Sequence, residues 1–205
     1  MLTGCGAQDN ITKKAASIIP NDAVISPDGK LAVCQYVKED LEDEKGLLYS
    51  IYDVQLYDNE KYIMICTFHI VGRDFHFIWS PNSKYVTAAY SGRIWTNFSI
   101  LDIRRHSTIN ILGISEILDS FRNSGEKIDY EINEDRPDPY VSPIEWSPDS
   151  TRILISYQVK DAGYKTQSGI FIYDLVNNTY SDLRQLPSSE DDHVNIRKPE
   201  NFSWE

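Results

Sequence analysis

Short, almost continuous apolar runs set off by turn-forming residues organise this chain. Leu31-Ala32-Val33-Cys34-Gln35-Tyr36-Val37, Tyr85-Val86-Thr87-Ala88-Ala89-Tyr90 and Arg152-Ile153-Leu154-Ile155-Ser156-Tyr157 are rich in β-branched and aromatic residues. They are too short and too uniformly apolar for amphipathic helices, so they predict strands buried on both faces. Each run follows a Ser-Pro-(Asp/Asn)-(Gly/Ser) tetrapeptide: Ser26-Pro27-Asp28-Gly29, Ser80-Pro81-Asn82-Ser83 and Ser147-Pro148-Asp149-Ser150. The residues just before these are Ile25, Trp79 and Trp146, and Phe202-Ser203-Trp204-Glu205 reads as the approach to a fourth copy. Self-similarity at this period marks a tandem-repeat architecture.

In each tetrapeptide Pro presets φ, Asp or Asn can bond its own backbone two residues on, and Gly or Ser closes the turn. A second signal recurs in order within the repeats, as Ile51-Tyr52-Asp53-Val54, Ile100-Leu101-Asp102-Ile103 and Ile172-Tyr173-Asp174-Leu175, with Leu56-Tyr57-Asp58 a competing phase in the first copy. Each unit therefore reads as four strands, the last covering Tyr62 to Ile70, Thr108 to Leu112 and Thr179 to Leu186. Between the second and third motifs the period changes to that of a helix. Ile114, Ile117, Leu118 and Phe121 fall at i, i+3, i+4 and i+7, predicting a short amphipathic helix with Ser115 as N-cap and Gly125 just past its end.

Repeated four-stranded units with two apolar faces resemble blades of a β-propeller. The wording Trp146-Ser147-Pro148-Asp149-Ser150, a strand, then Ile172-Tyr173-Asp174-Leu175 resembles the TolB-like repeat, a relative of the WD repeat, over roughly residues 22 to 204. The expected fold is all-β: tandem four-stranded antiparallel blades of a partial propeller, three units at about 22–72, 73–139 and 140–200, a start of a fourth strand set at 201–205, and one inserted helix. Residues 1–20 are expected to form a tether ahead of a propeller region at 21–205. The resemblance implies a scaffold and leaves function open, since such propellers serve as periplasmic interaction modules, as sensors and as gate domains of serine peptidases. Rings of this type need at least about four blades. The chain is thus expected to be a fragment of a longer propeller, one half of a homodimer that completes the ring, or a smaller closed arrangement.

With 41% hydrophobic residues the 205-residue chain can bury about 70% of its unfolded surface. Its net charge of −11 repels phosphate backbones and anionic lipid, which argues against nucleic-acid binding. No apolar run approaches the roughly 18 residues needed to span a bilayer. Leu2-Thr3-Gly4-Cys5 resembles a bacterial lipobox without its basic and apolar leader regions; the resemblance implies lipidation at Cys5, an extracytoplasmic location and membrane contact only through that anchor. A cytosolic protein is the alternative. Cys34 and Cys66 are expected two ladder spacings apart, roughly 9–10 Å, which is too far for a disulfide.

No Gly-x-Ser-x-Gly elbow, His-Glu-x-x-His or phosphate-cradling glycine loop is present. No catalytic, cofactor-binding or metal residues are therefore assigned. His69 and His76 are expected as packed or rim residues, and His106 and His193 as solvated turn residues. The repeated Asp53, Asp102 and Asp174 are expected to bond turn backbone at the ends of the third strands. Acidic stretches at Lys38–Lys45, Asp129–Asp138 and Ser188–Asp192 interrupt the blades, and the second, lacking the Gly and closing Glu of a calcium loop, reads as a solvated loop. Loops carry function on such scaffolds, so the inserted helix and the proline-bearing loop with Pro137, Pro139 and Pro143 are the expected surface for a protein or peptide partner. The leading expectation is a non-catalytic lipoprotein. Its rivals are the gate of a serine peptidase and a propeller sugar-processing or lyase-type enzyme.

Overall fold

The structure, a computed structural model, describes residues 19–42, 48–70, 72–191 and 196–204. They fall into two compact units, one drawn from Met1–Tyr90 and Ser99–Ile109, the other from Ser91–Phe98 and Asn110–Glu205. The lipobox-like segment Leu2-Thr3-Gly4-Cys5 expected from the sequence lies outside the described residues, as does His193.

In the first unit β1 (Val24–Ile25), β2 (Leu31–Glu42), β3 (Leu48–Asp58) and β4 (Ile63–His69) form an antiparallel sheet in chain order. A second meander follows as β5 (Arg73–Trp79), β6 (Tyr85–Ser91), β7 (Thr96–Asp102) and β8 (Ser107–Asn110), again with neighbours in sequence paired. The second unit holds helix α1 (Ile114–Asn123) and the meander β9 (Tyr140–Trp146), β10 (Arg152–Lys160), β11 (Thr166–Asp174) and β12 (Thr179–Ser189), also antiparallel in chain order. Among the described residues these are the tandem four-stranded units and the one inserted helix that the sequence pattern calls for, with one parallel pairing, Thr96 of β7 with Tyr140 of β9, that it does not announce.

The three tetrapeptides build one hydrogen-bond network three times. Ser26, Ser80 and Ser147 each donate their hydroxyl to the carboxylate or amide oxygen two residues on, at 2.7, 2.9 and 2.6 Å. The same hydroxyls accept the N–H of Leu31, Tyr85 and Arg152 at 3.0, 3.0 and 2.9 Å, the first residue of each following strand. Backbone bonds from Gly29, Ser83 and Ser150 N–H to the motif Ser carbonyl close each turn, and these three residues are left-handed, with φ of 75, 58 and 64°. The fourth motif position is therefore Gly or Ser for conformational reasons. Ser147 is fully buried, so Ser147→Ala strands a strand-initiating N–H and is expected to cost about 1–2 kcal/mol in urea unfolding.

Asp149 is the exposed third residue of this turn, and the bonds it accepts, first from the Ser147 hydroxyl and then from Thr151, hold its pKa down from 3.8 to about 2. A carboxyl depressed in the folded state stabilises fully above its unfolded value and loses that contribution as pH falls through the folded one. Stability is expected to decline between about pH 4 and pH 2. Solvent screening keeps the decline shallow at so exposed a group. Asp149→Asn, which reproduces the chemistry of Asn82 in the second turn, is expected to keep the turn and flatten this acid limb in unfolding curves taken across that range.

The β3–β4, β7–β8 and β11–β12 turns share a second device. Asp58, Asp102 and Asp174 each accept, through Oδ1, the N–H three residues on, from Lys61, Arg105 and Asn177 at 2.9, 2.9 and 2.8 Å. In the first copy the turn residue is thus Asp58 and not Asp53, a correction to the expected phase. The β2–β3 hairpin is longer than its counterparts, so Asp58 pairs with Leu31, as Asp174 pairs with Arg152. Asp53 lies mid-strand, bonded to its cross-strand partner His69 at 2.9 Å and 4.0 Å from Lys38. His69 and His76 are exposed rim residues rather than packed ones.

The first unit's core joins two sheets through facing side chains. Val33, Val54, Leu56, Phe68 and Ile70 from the first meander pack with Phe77, Trp79, Val86, Ala88, Leu101 and Ile103 from the second. Opposite parity on β2 puts Ala32 and Cys34 on the other face with Tyr57, under Ile19 and Ala23. Cys34 pairs with Gln55 and Cys66 with Leu56, so the two thiols point to opposite faces of the sheet. Geometry thus forbids a bridge more firmly than distance alone. Burial pushes the Cys34 thiol up to about 11, which keeps it an unreactive core group.

Trp79 also ties the sheets together by a hydrogen bond, its indole N–H donating to the Val24 carbonyl at 2.9 Å. In the second unit Trp204 donates to Glu145 Oε1 at 2.8 Å while Phe202 packs on Leu154, Ile170 and Ile172. Val24 and Glu145 each stand one residue before a motif-preceding position. The Trp204 segment therefore contacts the β9–β12 sheet as Trp79 contacts the first meander.

Candidate functional site: a rim cleft beside the inserted helix

Helix α1 buries Ile114, Ile117, Leu118 and Phe121. Phe121 meets Phe171 edge-on at 6.1 Å, and Phe171 in turn meets Tyr180 at 5.8 Å. Tyr180 holds the helix entry by accepting the Leu112 N–H at 3.0 Å. The N-cap is Gly113, not Ser115, because Glu116 in the first turn reaches back to the Gly113 N–H at 2.9 Å. At the other end Gly125, at φ 96°, closes the helix as expected, with Glu126 N–H bonding to Phe121 O and Gly125 N–H to Arg122 O.

Ser115, Asp119 and Arg122 lie on the opposite face of α1 and form one wall of a cleft of about 780 Å³. The facing wall is the loop after the helix. Arg122 spans the base, donating to Asp119 Oδ1 at 2.6 Å and to the Tyr130 carbonyl at 2.8 Å. Asn133, buried, accepts the N–H groups of Asp135 and Arg136 through its side-chain oxygen at 3.1 and 2.9 Å and donates its own N–H to Lys160 O. Ile132 bridges to Asp161, and Ala162 N–H bonds to Glu131 O. The acidic loop is thus pinned to the β10–β11 hairpin along its length.

A pair of phenols anchors it from beneath. Tyr130 and the fully buried Tyr157 share a hydrogen bond at 3.0 Å, and burial pushes both phenols up from their ordinary range, Tyr157 much the further. Asp161 is also committed to structure, accepting from Gly163 and Lys165 N–H at 2.9 Å each and from Gln167 Nε2 at 2.6 Å.

What remains open to the cleft is carboxylate. Glu131, Glu134 and Asp135 are exposed and have no ion-pair partner among the described residues, and among the described lining residues the cation, Arg122, is engaged by Asp119. Tyr164, exposed and left-handed at φ 62°, stands at the edge with Pro137. Among the described residues no grouping of His, Cys, Asp or Glu is suited to hold a metal ion. The arrangement can attract cationic groups and accept their hydrogen bonds, with an aromatic ring beside them.

The helix and loop flagged in the sequence are the residues brought together here, whereas His69, His76 and His106 are elsewhere in the fold. Sequence reasoning missed Asn133, Arg122 and the Tyr130–Tyr157 pair. A basic residue in the last turn of a helix is a visible signal for Arg122, while nothing local marks the other three.

Three consecutive four-stranded meanders, two of them packed face to face, are propeller-like. No protein-family model matches the chain, and no curated protein does. Among solved structures it is similar to TolB from Acinetobacter baumannii, at 13% identity and a TM-score of 0.41, over 78% of this chain and 30% of that one. It is also similar to an oligogalacturonate lyase in complex with manganese, at 12% identity and 0.49, over 85% and 44%, and to a putative TolB from Agrobacterium tumefaciens, at 13% and 0.40, over 80% and 47%. The chain spans less than half the length of each.

Proposed function

We propose that this chain is a non-catalytic binding scaffold whose rim cleft takes a basic segment of a protein or peptide, and that it is held outside the cytoplasm by a lipid on Cys5. One observation carries the binding reading: three carboxylates without an ion-pair partner among the described residues, on a loop that is itself fixed by hydrogen bonds. Preorganised charge draws an opposite charge without an ordering cost at the moment of binding. The cleft's volume lies in the range of roughly 300–1,000 Å³ that holds small ligands. It is large enough for a few side chains of an extended segment. The net charge of −11 adds long-range attraction for a cationic partner.

Calorimetric titration with a Lys/Arg-rich peptide at low salt tests this. Saturable binding that weakens with added salt, and at least ~10-fold in the triple variant Glu131→Gln, Glu134→Gln, Asp135→Asn, is the expected result. Equal binding by the variant contradicts it. The anchor is tested separately by mass spectrometry of the protein expressed with its native upstream region, where an unmodified Cys5 removes the lipoprotein reading.

A further inference from the structure

The first strands of the three meanders differ in length: β5 and β9 have seven residues, β1 has two. The motif serine aligns the copies, since Ser26 and Ser147 each accept the N–H that opens the next strand, from Leu31 and from Arg152. Leu31 therefore corresponds to Arg152, and Val37 to Gln158. The pairings agree, because Ala32 meets Ile25 as Ile153 meets Trp146, and Val33 meets Val24 as Leu154 meets Glu145. Beyond that point β10 stays covered, with Tyr157 on Val141 and Gln158 on Tyr140. The corresponding stretch of β2, Cys34 to Val37, meets no strand on that side among the described residues.

The described residues ahead of β1 do not fill the gap. Pro20 O accepts the Ala23 N–H at 3.1 Å and turns the chain off the ladder, so Ile19 and Ala23 pack on the face of the sheet with Cys34 and Tyr57. The Ser26 N–H bonds to Leu31 O at 2.8 Å, and alternation along β2 then sends the N–H and C=O of Val33, Gln35 and Val37 to the same edge. Val24 takes up Val33. Gln35 and Val37 present their main-chain groups outward. Free edges are ordinarily blunted by a charge, a proline or a bulge. Cys34 to Val37 has none of these: the first charge is Lys38, and the bulge falls between Val37 and Glu39. Tyr36 and Val37, 52% and 46% exposed, stand on opposite faces of the stretch.

An open edge with apolar side chains beside it takes up an extended peptide as an added strand. We infer that β2 binds an extended, uncharged segment of another polypeptide, which adds antiparallel along Gln35–Val37 where β1 stops and sets apolar side chains against Tyr36 and Val37. The strand that covers the same positions in the third meander shows the chemistry that fits, reading Tyr140-Val141-Ser142-Pro143. A second copy fits worse. Two identical antiparallel strands set their central residue against itself, and a second β2, which runs to Glu42, clears β1 only when that centre is Lys38 or later, so like charges meet. The edge shares no residue with the acidic cleft.

Backbone amide chemical-shift mapping of the intact chain with an acetylated and amidated peptide of alternating threonine and valine, seven residues long like β9, tests this. Saturating shifts gathered at Cys34–Val37 are expected. Amide exchange is expected to slow at Gln35 and Val37 and to stay unchanged at Tyr36, whose N–H faces β3. Val37→Pro removes one outward N–H from an edge position that tolerates proline, and is expected to weaken binding about tenfold. An unfolding curve verifies that this variant folds, and the exchange pattern of the unaltered chain is the second readout. The cleft variant Glu131→Gln, Glu134→Gln, Asp135→Asn is expected to leave binding unchanged. Shifts that never saturate, unchanged affinity in Val37→Pro, exchange at Gln35 and Val37 already slow in the free chain, or a free-chain dimer in sedimentation that Val37→Pro dissociates would overturn the inference.

Discussion

Trp79→Ala is expected to destabilise the first unit by about 3–5 kcal/mol, the range for removing a large aromatic from a packed core. Trp79 is buried where the two meanders of that unit meet, among Val24, Phe77 and Val86, so its loss leaves a cavity that neither sheet can close alone. The indole N–H adds a directional tie to the Val24 carbonyl. Trp79→Phe separates the two contributions, keeping most of the apolar volume and losing the bond, and is expected to cost about 1 kcal/mol beyond its smaller size. Urea unfolding followed by tryptophan fluorescence and circular dichroism measures both. A cost below about 1.5 kcal/mol for the alanine variant would mean that the two sheets are not mutually dependent.

Gly169→Ala is expected to cost about 3 kcal/mol, at the upper end for overpacking. Gly169 sits mid-strand on β11, opposite Tyr157 on β10 and Gln185 on β12. A methyl group there would stand 2.5 Å from the Arg184 carbonyl oxygen and 2.7 Å from the Tyr157 ring. The backbone oxygen belongs to a paired strand and has little room to retreat. The Tyr157 ring must shift instead, and with it the hydrogen bond to Tyr130 that anchors the acidic loop. The variant is therefore expected to lose affinity for a basic peptide as well as stability. Tyr157→Phe, which removes the hydroxyl but not the ring, is expected to weaken peptide binding with a smaller stability loss. Full peptide affinity in both variants would show that the phenol pair does not support the cleft.

The repeated turns were legible because their chemistry is local. Ser, Pro and Asx in succession specify the bonds at Ser26, Ser80 and Ser147 whatever the rest of the chain does. The helix was equally legible from its period, with Ile114, Ile117, Leu118 and Phe121 buried together. Its N-cap was not, since Glu116 bonding back to Gly113 starts the helix earlier than the Ser115 hydroxyl suggests. The phase of the first copy failed for a different reason. Asp53 and Asp58 follow the same kind of residues, and only the register of the β2–β3 hairpin decides between them. Within the cleft, the loop's position was readable from the insertion and its acidity from composition. What makes the loop rigid was not readable: Asn133 to Lys160 and Tyr130 to Tyr157 join residues 27 apart, and no local pattern announces either partner.

Backbone amide chemical-shift mapping during titration with a Lys/Arg-rich peptide tests the binding role of the cleft most directly. Saturating shifts gathered at Ser115, Asp119, the Glu131–Asp135 segment and Tyr164 are the predicted result. Shifts that never saturate, or that gather on the sheet β1–β4 instead, would contradict it.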